Sequence, residues 1–151
     1  RDRLRSRGLG DVYKRQIKDY CAKTGQHVPE GYAETCRCIF ESLALRYRQV
    51  AGYLKEMASF PIDTLHIIGG GSLNAYLNQF TANATGLTVL AGPQECTALG
   101  NIMLQAKAAG AVGGIFDMRR IIADSITMKR FDPQDKEMWD KAYAKFESLT
   151  R

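Results

Sequence analysis

The sequence has little histidine, tryptophan and proline, and it lacks any long apolar run. Two histidines, one tryptophan and four prolines occur among 151 residues. No apolar segment approaches the ~20 residues that a helix needs to cross a bilayer, and no signal-peptide pattern is present. With 45% hydrophobic and 25% charged residues, the composition is typical of one globular domain, and a cytoplasmic location without a membrane partner is the default expectation.

Histidine and cysteine are too sparse and too poorly spaced to indicate a metal site. The cysteines are Cys21, Cys36, Cys38 and Cys96, and no second pair or histidine stands at zinc-ligand spacing. We expect them to be buried thiols. His66 lies in an apolar stretch and is expected to be a core histidine rather than a base. No Ser/His/Asp order or Cys–His pair indicates covalent catalysis.

The net charge of +5 is concentrated at one end of the chain. Residues 1–16 hold six basic and two acidic side chains, which leaves 15 basic and 14 acidic ones over 17–151. The charge therefore gives no support for a nucleic-acid partner. The segment 1–16 also lacks apolar periodicity and starts with arginine. A basic arm for an acidic partner is one interpretation, but we favour a non-native tail of read-through or adaptor origin.

The most informative stretch joins a short apolar run to three consecutive glycines. Residues 65–68 are rich in β-forming side chains, Gly69, Gly70 and Gly71 follow, and a helix-like segment starts at Asn74. A strand, a glycine turn and a helix start allow backbone to approach a flat or phosphorylated ligand without interference from Cβ atoms. On shape alone the stretch is a candidate nucleotide site.

The glycine segment matches neither of the common nucleotide fingerprints. A P-loop ends in Gly-Lys-Ser/Thr, which is absent here. The dinucleotide fingerprint requires a third glycine at the position of Asn74 and a well-placed acidic residue at the usual distance further along the chain. This sequence has neither of them. From the pattern alone, three glycines after a strand are more often a tight turn than a ligand site.

The rest of the chain alternates between helices and short apolar strands. The pattern predicts helices over 32–59, 74–85, 95–109, 117–124 and from Pro133 to residue 149, strands over 65–68 and 87–90, and an ambiguous segment, 126–131, that fits an edge strand. Continuously apolar strands interleaved with helices are typical of a mostly parallel sheet. The two strands should be neighbours, with the helix over 74–85 crossing between them.

Several motifs carry a resemblance to a known family. They are Cys38-Ile39-Phe40-Glu41-Ser42-Leu43-Ala44-Leu45, His66-Ile67-Ile68-Gly69-Gly70-Gly71-Ser72 with Asn74, Leu77-Asn78-Gln79, Ala91-Gly92-Pro93 and Glu95-Cys96-Thr97-Ala98-Leu99-Gly100-Asn101-Ile102. With these motifs, 17–151 resembles the C-terminal domain of the FGGY carbohydrate kinases. Within the family, the motifs resemble those of the branch that phosphorylates L-rhamnulose.

The resemblance implies a fold and a set of binding residues. The fold is the actin-like, ribonuclease-H-like ATPase, in which two domains close over a cleft; this chain would supply part of the C-terminal domain. Gly69, Gly70 and Gly71 would lie against the nucleotide, and Asn74 would offer its amide to adenine. Glycines permit close backbone contact, and an asparagine amide supplies both a donor and an acceptor. Cys21 and Cys38 correspond to positions that can lie close together, which would allow a bridge on oxidation, although a cytosolic compartment argues against a permanent one.

The resemblance also implies an activity for the intact enzyme. It would transfer the γ-phosphate of ATP to the 1-hydroxyl of L-rhamnulose, giving L-rhamnulose 1-phosphate, with ATP and Mg²⁺ as cofactors and a ketose sugar as partner. The family's catalytic base is an aspartate in an earlier part of the chain, and no aspartate here matches it, so no catalytic residue is assigned. Alternatives are another deoxysugar kinase, such as one acting on fuculose, or a non-catalytic nucleotide-binding module; a dinucleotide-binding oxidoreductase is disfavoured.

Overall fold

The computed structural model describes residues 2–150, with side chains from residue 11 onward. The helices are α1 (Asp2–Lys23), α2 (Gly31–Met57), α3 (Ala75–Thr85), α4 (Cys96–Ala108), α5 (Ile115–Ser125) and α6 (Lys136–Leu149), and a short 3-10 helix spans Gly69–Leu73. The strands are β1 (Thr64–Ile67), β2 (Thr88–Ala91) and β3 (Lys129–Phe131). This order confirms the predicted α/β alternation.

The two apolar strands pair as predicted. β1 and β2 are parallel neighbours, with Leu65 opposite Val89 and Ile67 opposite Ala91. α3 connects the two strands, so β1, α3 and β2 form a β-α-β unit. Parallel strands need such a crossover because the chain must return to the starting edge of the sheet. Val89 is fully buried, which places the centre of the sheet at β2.

The prediction of a mostly parallel sheet is wrong for the third strand. The sheet has the order β1-β2-β3, and β3 runs antiparallel to β2, with Leu90 opposite Arg130. Lys129 and Arg130 are exposed, so β3 has the charged character of an edge strand rather than that of a buried parallel one. The sheet is therefore mixed, with one parallel and one antiparallel pairing.

The hydrophobic core lies where α2, α3 and α6 meet. Its buried members are Ala44, Leu45, Ala84 and Trp139. Phe80 packs against Trp139 with ring centroids 5.5 Å apart. Small alanines on α2 and α3 let the helices approach, while the indole fills the space between them. This core supports α3, the helix that follows the glycines.

A polar network fixes the loop after β3 to α3. The Oδ1 atom of Asn83, a residue that is 8% exposed, accepts hydrogen bonds from the Gln79 side chain at 2.8 Å and from the Gln134 amide at 2.9 Å. Gln79 also donates to the Asp132 carbonyl oxygen at 2.8 Å. The buried acceptor is thus satisfied by two donors, as a buried polar group requires. The final helix starts after this loop, at Lys136 rather than at Pro133 as predicted.

Residues 2–16 belong to the same helix as the residues that follow them. α1 covers 2–23 as one helix, which the absence of apolar periodicity did not predict. The Lys14 ammonium lies 4.3 Å from the centroid of the Tyr32 ring, whereas Val12 and Tyr13 are 47% and 62% exposed. The non-native origin of this segment remains a prediction.

His66 does not lie in the core. Its side chain is exposed on β1, whereas its neighbours Leu65 and Ile67 are partly buried. Alternate side chains of a strand point to opposite faces, and the face with His66 is the less covered one. The prediction of a core histidine is therefore wrong, because an apolar run does not reveal which side of a strand is buried.

Candidate functional site

The three glycines lie where the sheet ends and α3 begins. β1 ends at Ile67, and the 3-10 helix Gly69–Leu73, here called the glycine turn, leads into α3 at Ala75. The turn is at the carboxyl end of a parallel strand, which is where α/β proteins place their ligands. Gly70 and Gly71 are exposed and Gly69 is partly buried.

Only Gly69 needs to be glycine for the backbone to adopt this conformation. Its φ is +73°, in the left-handed region that side chains disfavour. Gly70 and Gly71 have ordinary φ values, and a Cβ at Gly70 would have no atom within 4 Å. At Gly71 the nearest atom would be the Ile67 Cγ2, at an ordinary contact distance of 3.8 Å. The fold therefore gives no reason for glycine at Gly70, whereas close approach of a ligand would give one.

Asn74 acts as the N-cap of α3. Its Oδ1 atom accepts a hydrogen bond from the Leu77 amide at 3.1 Å, and its carbonyl oxygen accepts one from the Asn78 amide at 3.0 Å. Such a cap satisfies one of the amides left free at a helix start. Capping uses only the Oδ1 atom, so the Nδ2 donor is left over for the predicted contact with adenine.

A second loop lies against the glycine turn. Gly92 and Pro93 follow β2, and Gly92 has a φ of +127°. The Gly69 amide donates to the Pro93 carbonyl oxygen at 2.9 Å, and the Gly92 amide donates to the Ile67 carbonyl oxygen at 2.8 Å. The two loops thus extend the β1–β2 ladder beyond the strands. No role was predicted for Gly92 and Pro93, although a Gly-Pro pair directly after an apolar strand is a recognisable turn signal.

Two buried polar side chains donate hydrogen bonds to carbonyl oxygens of the glycine turn. The Ser72 hydroxyl donates to the Gly69 carbonyl oxygen at 2.7 Å, and the Asn78 Nδ2 group donates to the Ser72 carbonyl oxygen at 2.9 Å. Ser72 is 7% exposed and Asn78 is fully buried. Sequence reasoning gave neither residue a role, because a helical pattern alone does not show that Asn78 faces the turn.

A groove runs beside the turn, between α2 and β1. Its volume is about 590 Å³, and it is lined mainly by apolar side chains of α2 such as Tyr47, Val50 and Leu54. Gly71 and Asn78 also line it, whereas Gly69, Gly70 and Asn74 do not. Of the predicted binding residues, only Gly71 therefore belongs to this groove; the other three lie at the turn itself.

Residues 11–150, whose side chains are described, contain no group of three or more histidine, cysteine, aspartate or glutamate side chains that could hold a metal ion. Within the same part of the chain, no helix has both the length and the apolarity to cross a membrane. The site consists of backbone, glycines, asparagine amides and the buried Ser72 hydroxyl, which donates to the Gly69 carbonyl oxygen. It can bind a ligand by shape and hydrogen bonding, but the turn itself carries no acidic or basic side chain.

Comparison with known proteins identifies the family to which this chain is similar. Residues 8–109 match the C-terminal domain of the FGGY family of carbohydrate kinases. This range includes β1, the glycine turn, α3, β2 and α4. More than half of the chain is matched, and the resemblance inferred from the motifs is confirmed.

Curated relatives match over most of the chain. A protein of Bacteroides thetaiotaomicron named rhamnulokinase is 53% identical over 135 residues, which is 89% of this chain and 28% of that protein. A rhamnulokinase of Pectobacterium carotovorum subsp. carotovorum is 44% identical over 135 residues, covering 89% of this chain and 27% of its own length. One of Yersinia pestis (strain Pestoides F) is 40% identical over 137 residues, 91% of this chain and 28% of its own length. The chain thus spans about 28% of the length of the relatives it matches, and it belongs to the FGGY family of carbohydrate kinases.

Proposed function

We propose that this chain is part of the C-terminal domain of an ATP-dependent sugar kinase. The intact enzyme would transfer the γ-phosphate of ATP to the 1-hydroxyl of L-rhamnulose and release L-rhamnulose 1-phosphate and ADP. The shared name of the relatives, at 40–53% identity, supports L-rhamnulose as the substrate. We also propose a cytoplasmic location and an actin-like, ribonuclease-H-like fold for the complete domain.

The glycine turn is the proposed contact with the adenosine of ATP. The observation that carries this proposal is Gly70, which has an ordinary φ and open space around its missing Cβ. The flat face of a nucleoside could approach such backbone closely, and a side chain there would block it. Asn74 would add its Nδ2 donor at the edge of adenine, while its Oδ1 atom keeps the helix capped.

The chemistry itself would come from the rest of the enzyme. Phosphoryl transfer requires phosphate-binding groups, Mg²⁺ and a base for the sugar hydroxyl. Mg²⁺, when bound, would neutralise the charge that develops on the phosphates. No aspartate in this chain matches the family's base, so the base, and with it the Mg²⁺ ligands and the sugar pocket, are expected in the remaining part of the protein. This chain would bind and orient the nucleoside end of ATP.

Gly70→Val in the full-length kinase tests the adenosine contact. The side chain should obstruct the nucleotide, so the KM for ATP should rise while the KM for L-rhamnulose stays nearly constant. Gly52→Val is the matched control, since Gly52 also has an ordinary φ and open space around its Cβ position but lies within α2. An unchanged KM for ATP in Gly70→Val would overturn the assignment of the turn.

Asn74→Ser separates capping from adenine recognition. Serine retains an oxygen that caps a helix, but it lacks the amide donor. The KM for ATP should increase about two- to tenfold, the equivalent of one hydrogen bond of roughly 0.5–1.5 kcal/mol, with little change in Tm. If the KM for ATP stays constant, Asn74 is a helix cap only.

The main alternatives are another deoxysugar kinase and a non-catalytic nucleotide-binding module. Comparing kcat/KM for L-rhamnulose and L-fuculose distinguishes the two kinases: L-rhamnulose should be the better substrate by a clear margin. A full-length protein that binds ATP by calorimetry but phosphorylates neither sugar would favour the module.

A further inference from the structure

We propose that Asn78 is a positioning residue for the nucleotide, acting through the glycine turn. The inference rests on the proposed function, and it assigns to Asn78 a role distinct from any contact with ATP. Asn78 is fully buried on α3, and the groove that it helps to line does not include Gly70. Its effect on a nucleoside bound at Gly70 should therefore pass through the turn.

The hydrogen bonds form a continuous chain from α3 to Gly69. The Asn78 Nδ2 group donates to the Ser72 carbonyl oxygen at 2.9 Å, and the Ser72 hydroxyl donates to the Gly69 carbonyl oxygen at 2.7 Å. The first bond is buried and the second is partly buried. A buried hydrogen bond lacks competition from water, so its loss leaves a carbonyl group without a partner.

The turn depends on this support because its glycines supply none of their own. Gly70 and Gly71 have no side chains with which to pack, and their backbone is the least restricted of any residue type. From the helix side, Asn78 therefore limits where the Gly70 backbone lies relative to a bound nucleoside. A shift of the turn would weaken nucleotide binding without touching the sugar pocket.

Thr81 provides a matched control on the same helix. Like Asn78 it is fully buried, but its hydroxyl donates to the Leu77 carbonyl oxygen at 2.7 Å, within α3 itself. Asn78→Leu removes a buried amide at similar volume, and Thr81→Val removes a buried hydroxyl at similar volume. Both variants are expected to lower Tm, and only the first alters the support of the turn.

The experiment compares these variants in the full-length kinase. Asn78→Leu should raise the KM for ATP about two- to tenfold, the range for loss of one hydrogen bond, with the KM for the sugar unchanged. Thr81→Val should change neither KM. If Asn78→Leu does not fold, Asn78→Ser is used, because it also removes the amide and reduces the volume. An unchanged KM for ATP, or an equal increase in Thr81→Val, overturns the inference.

A double-mutant cycle with Gly70→Val tests whether Asn78 acts through the turn. If both residues act at one place, the double variant should have nearly the KM for ATP of Gly70→Val alone, since sites that share a partner are not additive. Fold-changes that multiply would mean that Asn78 acts elsewhere and would overturn the inference. If Gly70→Val raises the KM and Asn78→Leu does not, only the positioning role fails. If Gly70→Val also has no effect, the proposed adenosine site fails with it.

Discussion

The Gly69 amide donates to the Pro93 carbonyl oxygen at 2.9 Å, which joins the loops that follow two neighbouring parallel strands. The bond is possible because Gly69 adopts a φ of +73°. A residue with a Cβ would resist that conformation, and the amide would then point elsewhere. The geometry of the glycine turn thus depends on the left-handed conformation of Gly69.

Gly69→Ala should destabilise the protein through its backbone alone. A Cβ at Gly69 would meet no atom within 4 Å, so the expected cost of about 1–2 kcal/mol is conformational rather than steric. Calorimetry of the full-length kinase should show a lower Tm. Gly70→Ala is the control, because φ at Gly70 is ordinary, and its Tm should stay within about a degree or rise slightly. Equal Tm values for the two variants would contradict this account.

The sequence predicted the β-α-β unit well for a physical reason. Residues 65–68 and 87–90 are short, mainly apolar runs of the length of a strand, and the glycines between β1 and α3 interrupt both strand and helix periodicity. The observed strands, Thr64–Ile67 and Thr88–Ala91, differ by one residue from the prediction. The position of the candidate site followed from the same pattern.

The other features of the fold and of the candidate site depend on tertiary contacts, which a sequence pattern does not contain. The antiparallel direction of β3 follows from the return of the chain after α5, and α1 forms although residues 1–16 show no apolar periodicity. The exposed side of β1 that carries His66 depends on which face of the sheet is covered. Asn78 appears as an ordinary helix residue until its bond to Ser72 is seen.

Trp139→Ala should be among the most damaging core substitutions. Trp139 is 4% exposed and packs against Phe80, Ala44 and Ala84 at the meeting point of three helices. Truncation of a buried tryptophan leaves a cavity and costs about 3–5 kcal/mol. The neighbouring Met138 is 53% exposed, so Met138→Ala should have little effect on the midpoint of urea unfolding. Comparable losses in the two variants would place the core elsewhere.

Asp140 should make stability depend on acid pH. Its carboxylate contacts Lys136 on its own helix and Arg48 of α2, the latter at 2.7 Å. The hydrogen bond from Lys136, followed by that from Arg48, holds the pKa of Asp140 below its ordinary value. Because the pKa of Asp140 is lower in the folded state than in the unfolded state, ionised Asp140 stabilises the fold. This contribution is fully present above about pH 4, the ordinary pKa of an aspartate, and is lost as the pH falls through the pKa of the folded state.

Asp140→Asn should therefore flatten the acid side of the stability profile. Tm measured from pH 6 down to pH 3 should fall less steeply in Asp140→Asn than in the wild type. Asp124→Asn is the control, because Asp124 is exposed and makes no ion pair with the described side chains. An unchanged slope in Asp140→Asn would show that the α2–α6 ion pair contributes nothing measurable to stability.

The cysteines of α2 should differ in their reactivity. All four cysteines are free thiols in this structure, but the prediction that they are buried is correct only for Cys21: Cys38 and Cys96 are partly buried, and Cys36 is exposed. Burial raises the pKa of the Cys38 thiol, and the adjacent Cys21 thiol raises it further. Because the thiolate is the nucleophile, iodoacetamide at pH 7.5 should modify Cys36 well before Cys38 and the buried Cys21.

Peptide mass spectrometry over a time course measures each site separately. The modification rate of Cys38 should rise as the pH approaches its raised pKa, and denaturation with urea should abolish the difference between Cys38 and Cys36. Cys36→Ser should leave the slow rate at Cys38 unchanged, because the two side chains leave the helix in different directions. Equal modification rates at Cys36 and Cys38 in the folded protein would mean that Cys38 is not shielded between α1 and α2. Such a result would also remove the physical basis for expecting Cys38 to lie near Cys21.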